Sequence, residues 1–309
     1  MIRIGIIGTD IVAHIHASGL LTNNNYEISG CYAPDNSKSM VFARQYRLVS
    51  YSSIEALFKY TDAVDITDDF PEIMDLAEKS LKRLKHVNIA QPHLLTLNEI
   101  RYLVKLADES GVVLQLGAGY RYCSAYEELI KLEQRPRMIG IRHRLSSENI
   151  PSRIYRELSR DLDFVLGILH ANICKVDVKT WAKREGSFDL FNCRLECDNG
   201  CSVSFMVNTL LEGDSNLEMT FDFSDMIVRA NVFKSVIEKK YCNYDVIDSI
   251  VLDAFNEKTI HKQDLRNFYK AIQNDPEAIR RIDEQLQSIY TADYIIERIN
   301  QLRPVTFVK

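Results

Sequence analysis

The sequence predicts an α/β protein with a doubly wound parallel sheet, followed by an α+β domain with a mainly antiparallel open sheet. As far as residue 118, apolar strand-like runs alternate with helix-like stretches, a pattern that places helices on both faces of a parallel sheet. Beyond it, strands with period-2 alternation follow one another, as in antiparallel sheets. The chain of 309 residues, 46% hydrophobic and 26% charged, is long enough for two cores. We therefore expect domains at 1–118 and 119–309.

The N-terminal elements begin with a βαβ unit. Residues 2–7 form an apolar, β-branched run, and the helical stretch 11–21 leads to a second strand at 26–32. The alternation continues through predicted helices at 37–46, 53–60, 72–84 and 97–110 and predicted strands at 63–67, 86–90 and 112–117.

The C-terminal pattern predicts helices at 124–133, 156–172, 263–275 and 277–299, and strands at 138–145, 176–183, 188–209, 216–223 and 226–233. The strand region 188–209 is interrupted by the turn "DNG" and is therefore read as a hairpin. Asp275 and Pro276 provide the N-terminal signal of the last helix.

Charge and hydropathy exclude several classes of function. Lys and Arg number 38 against 43 Asp and Glu, with neither sign concentrated in one run, so we expect no nucleic-acid or membrane partner. The chain lacks the roughly 18 uninterrupted apolar residues of a spanning helix, and "MIRIGIIG" is typical of a buried strand rather than a signal peptide. We therefore expect a cytoplasmic protein.

The seven cysteines include no C-x-x-C pair. The most closely spaced set, Cys193, Cys197 and Cys201, flanks the hairpin turn. Alternation on the two strands favours small core residues over metal ligands, and we predict no metal site.

The turn after the first strand carries an altered dinucleotide fingerprint. In "GTDIVA", Gly8, Asp10 and Ala13 hold the three places of G-x-G-x-x-[GA], with Thr9 and Ile11 between them. The middle glycine normally lets a diphosphate approach the backbone at a helix N-terminus, whereas Asp10 adds a negative charge. Two interpretations are open: the Asp10 carboxylate caps the helix and fills the anion site, or a cofactor binds in a shifted pose.

The end of the second strand lacks the acid that would hold the adenosine ribose. Ala33 stands at the expected place, and Asp35, two residues further on, is more typical of a turn.

The chain resembles the Gfo/Idh/MocA oxidoreductase family, the relatives of glucose-fructose oxidoreductase and inositol dehydrogenase, over essentially its whole length. The stretches that carry the resemblance, in chain order, are "GTDIVAHIHA", "KHVNIAQP", "LGAGYRYCSAY" and "RDLDFVLGILH". The resemblance implies a Rossmann domain that binds NAD or NADP and a C-terminal domain that contributes the substrate site.

Measured against this resemblance, the chemistry-bearing positions are replaced. Ala90 and Gln91 stand at the Glu and Lys of the family's E-K-P, with Pro92 retained. That lysine is implied to bond the substrate hydroxyl and the nicotinamide ribose. Hydride transfer requires an accompanying proton transfer, and a glutamine side chain neither takes up nor releases a proton at neutral pH.

Two further family motifs are changed. Arg156 and Arg160 match the Asp and His that are implied to act on the substrate, and Asp163 is retained. Arginine is effectively never deprotonated and cannot serve as a base. Asp68 and Asp69 follow the third strand, where the resemblance implies a Thr-Pro beside the nicotinamide.

These replacements predict a catalytically degenerate family member, a ligand-binding regulator or inactive partner with a small-molecule ligand in an interdomain cleft. Arg156 and Arg160 either bind an anion there or are neutralised by acids, and Arg121 either pairs with an acid or contacts a ligand. The alternative is an active NAD(P)-dependent oxidoreductase on a sugar-like substrate. In that case one of three side chains supplies the proton, namely Tyr120, Tyr122 or His143.

The resemblance also implies a homo-oligomer through the C-terminal sheet. Phe191, Leu195 and Phe205 either form an apolar outer face that meets another subunit or face the protein's own helices.

Overall fold

A computed structural model describes residues 1–68, 70–117, 119–145, 151–181, 190–209, 215–242 and 247–302. They form a five-stranded and an eight-stranded sheet, which confirms the predicted fold class. Three predictions fall outside the described residues. They are the site position Asp69, the boundary residue Ala118, and the facing ends of two predicted strands at 182–183 and 188–189.

The first sheet is entirely parallel, in the order β2-β1-β3-β4-β5. Its elements are β1 (Ile2–Ile7), α1 (Ile11–Leu21), β2 (Tyr26–Tyr32), α2 (Asn36–Tyr46), α3 (Ile54–Phe58), β3 (Ala63–Ile66), α4 (Ile73–Lys82), β4 (His86–Ile89), α5 (Leu97–Ser110) and β5 (Leu114–Leu116). Because the strands are parallel, their carboxyl ends meet at one edge of the sheet. The residues that follow β1, β3 and β4 are therefore neighbours.

The second sheet has the order β13-β12-β11-β10-β6-β9-β8-β7. Its unit contains α6 (Ser124–Leu129), β6 (Met138–Arg144), α7 (Pro151–Leu169), β7 (Ile173–Trp181), β8 (Leu190–Cys197), β9 (Ser202–Asn208), β10 (Asn216–Asp222), β11 (Met226–Asn231), β12 (Val236–Tyr241) and β13 (Ile247–Val251). All pairs are antiparallel except β6 with β9. The sequence pattern missed β12 and β13, whose side chains are mostly half-buried or exposed.

Of the two alternatives for Phe191, Leu195 and Phe205, the structure agrees with the second, in which they face the protein's own interior. Phe191, Leu195 and Phe205 are all buried, because β8 and β9 alternate and direct these side chains towards the interior. Their neighbours on the opposite face include Arg194 and Met206, which are exposed. The three closely spaced cysteines are likewise buried.

The chain ends with α8 (Glu257–Ile272) and α9 (Pro276–Gln301). The sequence pattern placed both helices in the C-terminal domain. In the structure, Glu257–Leu286 joins Met1–Ala118 in one compact unit, and Gly119–Asn256 with Gln287–Lys309 forms the other. The physical reason is that Leu265 and Phe268 of α8 are buried in the core beside Ile4 and Ala17. None of the helices in the described ranges has the combined length and apolar character of a bilayer span.

A chain of buried polar side chains crosses the first sheet. His16 on α1 lies 2.7 Å, Nδ1 to Oδ2, from the Asp65 carboxylate on β3. Asn88 donates to the other oxygen of Asp65 at 2.8 Å, and Gln115 donates to Asn88 and to Asp264. The buried polar side chains on β3, β4 and β5 therefore all find hydrogen-bond partners on neighbouring elements, as buried polar groups require.

Candidate functional site

The turn between β1 and α1 is fixed by a glycine. Gly8 has φ +143°, and a Cβ there would lie 2.1 Å from Thr67 Oγ1 and 2.3 Å from Asp68 Oδ1. No other residue type fits without displacing the loop that follows β3. The turn is thus pressed directly against residues 67 and 68.

The carboxylate of Asp68 occupies the backbone amides of this turn. The Thr9 N–H donates to Oδ2 at 2.5 Å, and the Asp10 N–H lies 3.0 Å from Oδ1 and 3.1 Å from Oδ2. The Thr67 hydroxyl donates to Oδ1 at 3.0 Å. Asp68 is only 3% exposed. Free N–H groups at the start of a helix form an anion site, and here the anion is a side chain of the protein itself.

Asp10 does not cap helix α1, contrary to the first interpretation of the sequence. It holds the N-cap position with extended backbone geometry, but its side chain makes no capping hydrogen bond and is exposed. The prediction that a carboxylate fills the anion site named the wrong residue, since Asp68 accepts the amide hydrogen bonds. Ile11, the next residue, is 76% exposed.

The electrostatics of Asp68 reflect its burial. Burial raises the pKa of its carboxyl above the usual value, and the neighbouring charge of Asp10 adds to this, although the N–H groups of Thr9 and Asp10 oppose both. A dinucleotide diphosphate requires the same amides and would bring further negative charge to two carboxylates. In this structure the Asp68 carboxylate thus occupies the amides that a diphosphate in the usual extended pose would use.

The acid nearest the ribose position, Asp35, is exposed and serves as a helix cap. Ala33 is buried, and Asp35 is the N-cap residue of α2, where its carboxylate accepts from the N–H groups of Ser37 at 3.0 Å and Lys38 at 3.4 Å. The structure thus places Asp35 in the helix start, in line with a local backbone role.

The first two residues after β4, Ala90 and Gln91, offer hydrogen-bonding groups but no titratable side chain. Gln91 donates from Nε2 to the Thr67 carbonyl oxygen at 3.0 Å. Ala90 is buried, and a Cβ at Gly117 would lie 1.9 Å from its carbonyl oxygen, so Gly117 is required by close packing. Pro92 begins a short 3-10 turn. Gln91 therefore ties together the loops after β3 and β4, which carry the sheet-edge residues.

In the second unit, Arg156 and Arg160 both contact an acid that the sequence motifs did not single out. Arg156 Nε lies 3.1 Å and Arg160 Nη1 lies 3.7 Å from Glu157 Oε1. The Tyr120 hydroxyl donates to the other Glu157 oxygen, and the Arg160 guanidinium lies 5.4 Å from the Tyr120 ring centroid. Burial opposes ionisation of Glu157, but Arg160 and the Tyr120 hydroxyl outweigh it and hold the pKa of its carboxyl below the usual value.

A buried His-Asp pair lies beside this group. His143 Nδ1 on β6 is 2.7 Å from Asp161 Oδ2 on α7, and both side chains are almost completely buried. The His143 ring packs against Phe233, which also packs edge-on against Tyr120. The sequence motifs did not single out Asp161; the spacing of residues 157 and 161, one helical turn apart, was the available signal.

Arg121 pairs with an acid, the first of the two alternatives. Its Nη2 lies 2.8 Å from Asp163 Oδ1, and its Nε donates to the Asp163 carbonyl oxygen at 2.9 Å. Both side chains are 5% exposed. This buried pair joins the 3-10 turn at residues 120–122 to α7 and is consistent with a structural role.

The parallel sheet with a glycine turn at its first crossover defines a Rossmann-type fold. Residues 2–118 match the model of the oxidoreductase family with an NAD-binding Rossmann fold. This match covers the N-terminal domain and agrees with the resemblance to the Gfo/Idh/MocA oxidoreductase family seen in the sequence motifs.

Individual proteins that resemble this chain in sequence or in structure are also oxidoreductases by name or share its fold. Over 131 residues the chain is 27% identical to glucose-6-phosphate 3-dehydrogenase of Bacillus subtilis, covering 42% of this chain and 37% of that enzyme. The aligned segment thus spans little more than a third of that relative. A UDP-N-acetylglucosamine 3-dehydrogenase from Acidithiobacillus ferrooxidans superposes with a TM-score of 0.78 at 18% identity, covering 96% and 99% of the two chains. GenD2 from gentamicin A biosynthesis, solved in complex with NAD, gives 0.76 at 13% identity, covering 100% and 97%. These structural matches establish the fold.

Proposed function

We propose that this chain is a family member that no longer transfers a hydride and that acts as a small-molecule-binding regulator or partner subunit. The observation that carries the proposal is the Asp68 carboxylate on the Thr9 and Asp10 amides. Because this carboxylate belongs to the protein itself, it always lies beside these donors and competes with a cofactor diphosphate for them. Cofactor binding then costs the loss of these hydrogen bonds and the approach of like charges.

The second unit supports the same conclusion through its charges. Arg156 and Arg160 are held by Glu157, and neither guanidinium can accept a proton from a substrate hydroxyl. Gln91 supplies no proton either. The positions that the family uses for proton transfer therefore carry side chains suited to holding structure together.

The ligand we propose is a sugar-like small molecule. The relatives are named for glucose 6-phosphate and UDP-N-acetylglucosamine. We infer that a chain that keeps their fold after losing the cofactor also keeps a binding site of the size of a sugar. Self-association and a cytoplasmic location remain predictions from the sequence.

A titration with the reduced cofactors tests the proposal. We expect the melting temperature of the wild-type protein to be unchanged by 1 mM NADH or NADPH. A site with a Kd of about 10 μM would instead stabilise the folded state by about 2.7 kcal/mol at 100-fold excess over Kd, a shift of several degrees. Such a shift with either nucleotide would contradict the proposal.

One observation favours the alternative of an active NAD(P)-dependent oxidoreductase. The His143–Asp161 pair has the composition of a proton-transfer unit. Tyr120 lies near this pair, because the rings of Tyr120 and His143 both pack against Phe233. However, burial and the Glu157 charge raise the pKa of Tyr120 well above its usual value, which disfavours it as a proton donor near neutral pH. The alternative requires cofactor binding, so the same titration separates the two functions.

A further inference from the structure

The segment that carries Asp68 lies beyond the paired part of its strand. Strand β3 pairs with β1 and with β4 as far as Ile66, whose carbonyl oxygen accepts from the Ala90 N–H at 2.9 Å. Thr67 and Asp68 follow this point. A short segment beyond the end of a strand keeps one conformation only where other groups hold it.

Both neighbouring strands hold Thr67. Towards β1, the Thr67 N–H donates to the Ile7 carbonyl oxygen at 3.0 Å. Towards β4, the Thr67 carbonyl oxygen accepts from Gln91 Nε2 at 3.0 Å. Thr67 is fully buried and Gln91 is half-buried. The side-chain amide of Gln91 therefore takes over, one residue further on, the role that the backbone N–H of Ala90 has at Ile66.

The position of Thr67 decides where the Asp68 carboxylate points. The Thr67 hydroxyl lies 3.0 Å from Asp68 Oδ1, and the carboxylate accepts from the N–H groups of Thr9 and Asp10. A Cβ at Gly8 would overlap both Thr67 Oγ1 and Asp68 Oδ1, so the segment lies tightly against the turn. Because hydrogen bonds weaken steeply with distance and angle, a small displacement of residue 67 would break the bonds to the amides.

We propose that Gln91 is a positioning residue that keeps the anion site closed. Its hydrogen bond to the Thr67 carbonyl holds the Asp68 carboxylate on the amides of Thr9 and Asp10. This inference rests on the proposed function, in which that carboxylate excludes a cofactor diphosphate. Gln91 then acts through Thr67 rather than by contacting a ligand. The replacements at positions 68 and 91 are therefore two parts of a single closing device.

Amide hydrogen exchange followed by NMR tests this device without any nucleotide. Gln91→Met keeps the length of the side chain and removes its donor. The amides of Thr9 and Asp10 should then exchange about two- to tenfold faster, the range for the loss of one hydrogen bond. Gln91→Glu, an acceptor only at neutral pH, should give the same result. Gln91→Lys restores a donor and should return both amides towards the wild-type rate, which separates the hydrogen bond from the shape of the side chain.

Gln285→Met is the matched control. Gln285 also donates from Nε2 to a backbone carbonyl oxygen that follows a strand of the same sheet, that of Gly117 after β5. Its replacement removes a hydrogen bond of the same kind and should leave exchange at Thr9 and Asp10 unchanged. Equal acceleration in Gln285→Met and Gln91→Met would reflect a general loosening of the sheet and would overturn the proposal. Wild-type exchange rates in both Gln91→Met and Gln91→Glu would overturn it as well.

The Asp68→Ala background shows whether Gln91 acts through Asp68. The amides of Thr9 and Asp10 are already released in that variant. Adding Gln91→Met should therefore neither accelerate their exchange further nor change the Kd for NADH by more than about twofold. A Kd about tenfold weaker in the double variant would mean that Gln91 contacts the cofactor directly, which contradicts a role through Thr67.

The positioning role and the proposed function fail in different ways. If the wild-type protein binds NADH while Gln91→Met still accelerates exchange at Thr9 and Asp10, the proposed function is wrong and the positioning role stands. If the wild-type protein does not bind NADH and the two amides exchange equally fast with and without the Gln91 donor, the positioning role alone is wrong.

Discussion

Replacing Asp68 by alanine is expected to raise the affinity for NADH at least tenfold, from no detectable binding to a measurable Kd. The substitution releases the N–H groups of Thr9 and Asp10 and removes one of the two negative charges at the turn. A tenfold change in affinity corresponds to about 1.4 kcal/mol. This is less than the free energy lost in the wild-type protein when a diphosphate displaces the buried Asp68 carboxylate from these amides. Isothermal titration calorimetry with NADH and NADPH measures the change.

Asp35→Ala is the matched control for this experiment. Asp35 also follows a strand of the same sheet and also accepts from two backbone N–H groups, but at the start of α2. Its loss should lower the stability of the protein, as a lost helix cap does, and leave nucleotide affinity unchanged. Equal affinities of the two variants for NADH would show that Asp68 is not what prevents cofactor binding.

Replacing Asp65 by asparagine is expected to lower the free energy of unfolding by about 3–5 kcal/mol, the range for breaking a buried charged pair. The change removes the carboxylate that holds His16 and accepts from Asn88 in the centre of the sheet. Urea unfolding followed by circular dichroism measures the loss. Asp62→Asn, the same substitution three residues earlier at the exposed pair with Arg3, should cost no more than about 1 kcal/mol. Equal losses of unfolding free energy in the two variants would mean that the buried hydrogen bonds of Asp65 stabilise the protein no more than the exposed ion pair does.

The same pair predicts a pH dependence. Burial opposes protonation of His16, but Asp65 and Asp264 outweigh it and raise the pKa of its imidazole above the usual value. A raised folded-state pKa stabilises the protein below the unfolded value near 6.5, and this contribution disappears as pH rises through the folded pKa. Wild-type stability should therefore fall with rising pH above about 6.5. In Asp65→Asn this part of the slope should be absent; an unchanged slope would contradict the assignment to His16.

Local patterns sufficed for much of the fold. Strand-helix alternation predicted the parallel sheet because buried strands and amphipathic helices have distinct periods. The same reasoning missed β12, since half of the residues in "VIEKKY" are charged and its alternation is weak. The packing of α8 on the first unit was equally out of reach, because it depends on contacts between residues more than 200 positions apart.

The candidate site shows the same division. The altered turn and the replaced lysine could be seen in the sequence, and so could the idea that a carboxylate fills the anion site. The choice of Asp10 followed the local capping rule, whereas the observed acceptor, Asp68, is 58 positions away and reaches the turn only through the pairing of β1 with β3. Glu157 was missed for a related reason, since its importance comes from Tyr120, 37 positions earlier.

Co-crystallisation of the wild-type protein with NADH at millimolar concentration tests the central claim most directly. We predict that the Asp68 carboxylate remains on the amides of Thr9 and Asp10 and that the first turn of α1 carries no diphosphate. A dinucleotide with its diphosphate on those amides, with Asp68 turned away and the nicotinamide beside Gln91, would contradict the account.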